Sequence, residues 1–337
     1  MDENVSQLIL VYNLEKETVC RNPLDLIAIQ DTARTTGCLF TSLEKLGFPT
    51  VLLPVEDSLP DFSRQLRNYA PDKSLVFFNV DGFMGNNAAA SLVAQLIEDL
   101  GFEHTGSEAR SISRSIYKAE TKKYLNLANV PTPDYQVFET TPDDCHLRFP
   151  LIVKPICEDA SMGIHRQSVV TDFASLREQV RAVVETYNEP ALVEEFIGGR
   201  EISVSIWGNA EIEILPLTEM DYSAIDDPLQ RLLTYDSKWQ TDSYAYRHIS
   251  TRCPALVTPE EQACIHAAAR GAYRAIGLRD FGRVDMRFEN GIPYVIDVNE
   301  LPDLAPESGF PTAVRNAGFT YDEMVKRIVT LACERMG

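Results

Sequence analysis

Two alternating apolar runs joined by Asn-Gly, GRVDMRFENGIPYVIDVNE from Gly282 to Glu300, constrain this chain more than any other segment. In the first run Val284, Met286 and Phe288 share one face, which leaves Arg283, Asp285 and Arg287 on the other. In the second, Tyr294, Ile296 and Val298 form the apolar set, and Asp297 and Asn299 point the opposite way. Burying both sets together requires Val284 opposite Val298 and Met286 opposite Ile296, so Asp285 lies directly across from Asp297. The same register predicts a three-residue loop, Asn290 to Ile292, because a two-residue turn would shift the pairing by one. Two carboxylates and an amide oxygen then converge, flanked by two arginines. Carboxylates at cross-strand distance repel, and a divalent cation neutralises them. An oxygen-only donor set favours magnesium over zinc, with manganese as an alternative; magnesium keeps phosphate oxygens in its shell and so implies a nucleotide. A solvated hairpin face with Arg-Asp pairs is the plainer reading of this segment alone.

The first hundred residues alternate strand and helix: a strand at Leu8 to Tyr12, a helix ending near Gly47, a strand at Thr50 to Pro54, a helix around Leu59 to Tyr69, a strand at Ser74 to Asn79 and a helix at Ala88 to Leu100 ended by Gly101. That rhythm predicts a parallel sheet covered by helices on both faces. A helix around Ala119 to Ala128 is broken by Pro131 and Pro133. An α+β stretch follows, with strands at Leu151 to Pro155, Ala191 to Glu195 and Ile202 to Trp207 and a helix at Asp172 to Thr186. Met220 to Pro254 is polar and aperiodic, which predicts a functional irregular segment such as a lid. A helix from Pro259 to Ile276, the hairpin and a C-terminal helix complete the chain. The division expected is 1–110, an N-terminal α/β unit; 111–207, a central unit; and 208–337, a C-terminal unit holding the lid and metal site.

Charge narrows the partners. The 31 basic residues stand against 50 acidic ones, a formal charge of -19, and such a surface repels phosphate backbones and anionic headgroups. Nucleic acid and membrane are therefore excluded as partners, and small molecules are expected. Apolar runs are strand-sized, short of the ~18 residues of a membrane span. The first six residues carry two acids and no base, unlike a signal peptide. Seven scattered cysteines without CxxC spacing are expected as free thiols in a reducing cytoplasm.

The GRVD and VIDVN strings resemble the metal-binding strands of ATP-grasp ligases. FPLIVKP (Phe149 to Pro155), ALVEEFIGGREISV (Ala191 to Val204) and ELPDLAPESGF (Glu300 to Phe310) are similar, in order and spacing, to segments of D-alanine–D-alanine ligases and their relatives. The resemblance implies a three-domain ATP-grasp fold, α/β plus α+β, with ATP and Mg2+ between central and C-terminal domains. It implies that Lys118 and Lys154 reach phosphates, a role suited to a compact point charge. Ser161 and Gly163 belong to the phosphate-covering loop CEDASMG, and Glu194, Glu195, Phe196 and Ile197 to the adenine slot. Glu201 would hold ribose, Lys238 of YDSKW would be the lid lysine, and Arg283 the oxyanion donor. Asp285, Asp297 and Asn299 would bind the metal, and Ser308 the carboxylate of the attacking amino acid, or else cap the following helix.

The chain also departs from that pattern. The glycine-rich first turn is absent from VYNLEKETVCRN, where Glu15 or Glu17 would have to hold the first substrate's amine. Val80, Asp81 and Gly82 replace the family's small-domain HG motif, Asp297 a glutamate, Trp239 the lid tyrosine, Ala160 its serine partner, and Asp303 a glycine. Nucleotide and metal residues are kept, while the substrate side changes. The expectation is an ADP-forming ligase that activates a carboxylate, or an equivalent oxygen, as a phosphate and joins it to an amino-acid amine. Secondary metabolism is the expected setting, for example mycosporine-like amino acid synthesis, and a homodimer is admitted. The alternatives are D-alanine–D-alanine ligase itself and a non-catalytic ATP sensor.

Overall fold

The computed structural model describes residues 5–14 and 26–336, without the side chains of residues 26–31 and of Trp239. Glu15 and Glu17 lie outside the described residues.

Strands β1 (Gln7–Asn13), β2 (Thr50–Val55), β3 (Ser74–Asn79) and β4 (Glu103–His104) alternate with helices α1 (Leu26–Lys45), α2 (Leu59–Leu66) and α3 (Ala90–Asp99). The strands form a parallel sheet in the order β2-β1-β3-β4. Its near-continuous apolar strands have one cause: both faces are covered. Leu8, Leu10, Leu75 and Phe77 pack on one side with Leu39 and Leu43 of α1. Ile9, Val11, Val76 and Phe78 pack on the other with Phe62, Val93 and Ile97.

Helices α4 (Ala109–Ile116) and α5 (Lys118–Leu127) lead into an antiparallel sheet of β5 (Tyr135–Phe138), β6 (Leu151–Pro155), β7 (Val169–Val170) and β8 (Ala191–Glu195), ordered β5-β8-β6-β7. Helix α6 (Phe173–Tyr187) starts where Asp172 accepts from the Ser175 N–H and stops at Asn188 in the left-handed region. Its Leu176, Val180 and Val183 bury the faces of Leu151, Val153, Ala191 and Val193.

The third sheet contains β9 (Arg200–Gly208), β10 (Ile212–Ile214), β11 (Thr218–Asp221), β12 (Ser250–Arg252), β13 (Phe281–Glu289) and β14 (Ile292–Asn299). Its order is β12-β11-β9-β13-β14, with β10 beside β9. Strand β9, which the sequence assigned to the central unit, pairs along its length with β13. Its Ile202, Val204 and Ile206 need the apolar face of helix α9 (Pro259–Ile276), which supplies Ile265, Ala269 and Ala272. The polar stretch between β11 and β12 is less irregular than expected, since it contains the short helices α7 (Tyr235–Trp239) and α8 (Tyr244–His248). The final helices, α10 (Gly309–Asn316) and α11 (Tyr321–Cys333), return to the first sheet, where Phe310, Met324 and Ile328 join Leu8 and Phe77.

The hairpin confirms two of the expected pairings and corrects a third. Val284 faces Val298 and Asp285 faces Asp297, but Met286 faces Val295, because the register shifts between Asp285 and Met286. Glu289 pairs with Ile292, so the loop is two residues, Asn290 and Gly291, both at positive φ (51° and 80°). The turn favoured by Asn-Gly thus forms, and a β-bulge absorbs the one-residue conflict with burial. Pro293, Val295 and Val298 are the inward residues of β14, whereas Tyr294 and Ile296 are not.

Candidate functional site

A cleft of about 600 Å³ is walled by the β6–β8 edge, the loop after β6, α7, the outer face of β13 and β14, and the C-terminal end of the first sheet. Lys118, Lys154, Ser161, Glu194, Glu195, Phe196, Ile197, Glu201, Lys238, Arg283, Asp285, Asp297 and Asn299 all line it. Gly163 and Ser308 are not among its lining residues.

Glu194 lies at the end of a buried strand and is 1% exposed. One carboxylate oxygen meets Lys122 and the other Lys154. Burial pushes this carboxyl up, but the two ammonium groups outweigh it and hold the pKa at about 2. Lys154 is therefore a charge within an apolar strand that is matched from the neighbouring strand. Sequence reasoning missed Lys122. It stands one helical turn after Lys118 on α5, so both ammonium groups leave the same face of the helix. Lys118 Nζ donates to the Glu158 carbonyl (2.7 Å) and lies 3.3 Å from an Asp159 oxygen, which ties it to the loop expected to cover phosphates.

That loop turns through Ala160 and Ser161, both at positive φ. Gly163, at φ 72°, does not face the cleft. A Cβ there would lie 2.4 Å from Pro155 Cγ, so this glycine lets the loop close against the end of β6.

At the other end of the slot Glu195 is forked by Arg148 (3.1 and 3.0 Å), which leaves the backbone of this segment, with Phe196 and Ile197, as the wall of the cleft. Glu201 accepts from Tyr222 Oη and Arg287 Nη2, each at 2.7 Å. Arg287 also donates to the carbonyls of Gly199 and Arg231, so it belongs to this end and not to the hairpin's acidic centre. Ile296, exposed to the cleft by the bulge, faces the same space as Phe196 and Ile197.

In the acidic centre Arg283 forks Asp285 (Nε to Oδ1, 2.8 Å; Nη2 to Oδ2, 2.7 Å), and Asn299 Nδ2 donates to Asp285 Oδ2 at 2.9 Å. Burial would raise the Asp285 carboxyl, but Arg283 outweighs it and holds it low. Among the described residues no arginine forks Asp297 in this way. Burial, with Asp159 and Asp285 adding, pushes its carboxyl above the ordinary carboxylate range despite Lys118. A carboxylate destabilised by two neighbouring acids, opposite a second carboxylate and beside an amide oxygen, is an oxygen donor set suited to Mg2+. The residues present therefore fit the ion implied by the resemblance. Glu300 follows at the edge, where burial and Asp159 push its pKa up to about 8 and Ser115 donates to it at 2.6 Å.

Lys238 projects from α7 into the same cleft; desolvation by the surrounding walls, then Arg283, lowers its pKa. The Ser308 hydroxyl, expected to bind a substrate carboxylate, instead donates to Asp303 Oδ2. It also makes no side-chain bond to cap α10.

Comparison with known proteins agrees with this arrangement. The family model described as D-ala D-ala ligase C-terminus matches residues 125–330. An uncharacterized protein, y4sG, of Sinorhizobium fredii is 30% identical over 90% of this chain and 88% of its own. A D-alanine–D-alanine ligase of Desulforudis audaxviator is 30% identical over 90% of this chain and 94% of its own. Among solved structures, D-alanine–D-alanine ligase from Bacillus anthracis complexed with ATP superposes with a TM-score of 0.74 at 20% identity, covering 98% of this chain and 99% of that one. VanG D-Ala:D-Ser ligase from Enterococcus faecalis gives a TM-score of 0.70 at 20% identity, over 97% and 99%. The fold is thus ATP-grasp, and by its sequence the chain belongs to the D-alanine–D-alanine ligase family of ADP-forming carbon–nitrogen ligases.

Proposed function

We propose that this enzyme phosphorylates a carboxylate, or an equivalent oxygen on a conjugated ring, with ATP and lets an amine of an amino acid or amino-acid derivative displace the phosphate. The observation that carries this reading is the meeting, in one cleft, of the Asp285–Asp297–Asn299 face with Lys118, Lys154, Lys238 and Arg283. Bound Mg2+ on that face would spread the charge of the transferring phosphoryl group. Lys118 and Lys154 would hold phosphate oxygens, Lys238 would neutralise the terminal phosphate, and Arg283 would stabilise the oxyanion that forms when the amine attacks. Phe196, Ile197 and Ile296 would enclose adenine, and Glu201 would accept from ribose hydroxyls. α7 and the loop through Ser161 would exclude water from an acyl phosphate.

The changed residues Asp81 and Asp303 on the substrate side support a role outside cell-wall synthesis, in secondary metabolism, for example mycosporine-like amino acid synthesis. Three units, meeting near residues 110 and 200, would close on the nucleotide in the cytoplasm, as a monomer or a homodimer. Purified enzyme with ATP and Mg2+ should release ADP and phosphate only when the right substrate pair is present. A second reading, D-alanine–D-alanine ligation itself, is favoured by the likeness to the Desulforudis audaxviator ligase. Turnover saturable by D-alanine alone would select it, and a panel of acids and amines with no ADP formed would sink both.

A further inference from the structure

The wall where an attacking amine would enter carries a carboxylate of the chain's own. Asp303 lines the cleft at the loop between β14 and α10, close enough to act electrostatically on both Lys238 and Arg283. Its Oδ2 accepts from Ser308 Oγ, and its Oδ1 accepts from the Ala305 N–H at 2.8 Å and faces Thr35 Oγ1 at 3.4 Å. These contacts fix the carboxylate just ahead of α10, where the positive end of the helix favours an anion. On the same side, Asp81 adds a second acid to the cleft, held at 2.7 Å by Thr32 Oγ1, one turn before Thr35 on α1.

We infer that Asp303 serves as the internal anion of the amine-accepting subsite, so that the enzyme selects an amine whose neighbouring group is neutral or cationic over a free amino acid. A substrate carboxylate in this part of the cleft would lie against Asp303, to which the Ser308 hydroxyl is already donated, and two like charges at contact repel strongly when partly removed from water. An amide, an ester or a second amine meets no such repulsion and gains a hydrogen-bond acceptor. This selectivity rests on the ligase reading above, and it deepens that reading by naming the chemical class of the amine.

The test uses the full-length enzyme with Mg2+ and a non-hydrolysable ATP analogue, and measures binding of alanine and alaninamide, as both enantiomers, by calorimetry. Wild type should bind at least one enantiomer of alaninamide about tenfold or more tightly than the matching alanine. Asp303→Asn and Asp303→Gly should shrink or reverse that ratio by a similar factor, with thermal melts showing that each variant is folded. Equal or tighter binding of the free acid by wild type overturns the inference, as does no binding of either amide or a ratio unchanged in both variants. ADP formation is read separately. Turnover with free amino acids alone would keep the ligase reading and remove this one, whereas no turnover with any pair would remove the ligase reading itself.

Discussion

Lys122 and Glu194 form an ion pair in the floor of the cleft, with side chains 3% and 1% exposed. Lys154 completes a triad in which one carboxylate answers two ammonium groups. Glu194→Gln should therefore leave two buried cations without a counter-charge. Loss of one partner of such a group costs about 3–5 kcal/mol, so the variant should melt many degrees below wild type and bind ATP poorly. Lys122→Met, which removes one of the two cations and leaves a one-to-one pair, should be milder. A thermal melt of both variants checks the order, and an equally stable Glu194→Gln would refute the triad.

The same triad sets an acid limit. Glu194 titrates at about 2 in the folded chain, below its ordinary 4.5. A depressed carboxyl stabilises the fold above its unfolded pKa and loses that stabilisation as pH falls through the folded one, so the window is from 4.5 down to 2. The difference is worth on the order of 3 kcal/mol. Denaturant melts between pH 5 and 2 should show this slope in wild type and a shallower one in Glu194→Gln.

Asp297→Ala should raise the Mg2+ concentration needed for half-maximal turnover, or stop turnover, because the carboxylate best placed to hold the cation is gone. Arg283→Ala should lower kcat by about 10²-fold through the lost oxyanion donor. It also frees Asp285 from its fork, so apparent Mg2+ affinity should not fall with kcat. A Mg2+ titration of ADP release separates the two effects; full activity in either variant would remove that residue from the site.

Gly163→Ala should strain the phosphate-side loop twice, once through φ 72° and again through a Cβ 2.4 Å from Pro155 Cγ. Holding a non-glycine residue in such a backbone region costs about 1–3 kcal/mol before the contact is counted. The KM for ATP should rise while any effect on the amine substrate's KM stays small. Unchanged ATP kinetics would show that the loop does not need this approach.

Cys157 opens that loop, and burial, with Glu189 adding, pushes its thiol up to about 12. The thiolate is the reactive form, so this cysteine should stay unmodified by iodoacetamide at pH 8 long after an ordinary thiol has reacted. Peptide mass spectrometry reads the outcome directly. Rapid labelling of Cys157 in the ATP-free enzyme would contradict the buried placement.

Where the sequence was legible, the reason was periodicity combined with burial. Asp285 against Asp297 followed from the need to bury Val284 with Val298, and Lys154 stood out as a charge inside an apolar strand. Lys122 was not legible, because on α5 it reads as one more polar helix residue. Its signal was indirect: Glu194 ends a buried strand and requires compensation from more than its own sheet. The bond from Ser308 to Asp303 was not legible for a similar reason, since Asp303 is held in part by Thr35 of α1, a tertiary contact that no local pattern announces. An apolar strand does not state which sheet it joins, and β9 joins the third sheet beside β13.

The bulge beside Asp285 divides the hairpin into two independently phased halves. β13 keeps its count with β9 on both sides of the bulge, from Phe281 to Phe288, so the extra residue belongs to β14, whose half near Asn299 is phased by the acidic face and whose half near Gly291 is phased by the turn. One supernumerary residue decouples them, as a slip joint does in a shaft. The distal tip is thereby free to change its length or sequence over evolutionary time without altering the phase of the metal-facing carboxylates, and Ile296, the residue spilled by the slip, becomes cleft wall instead of core.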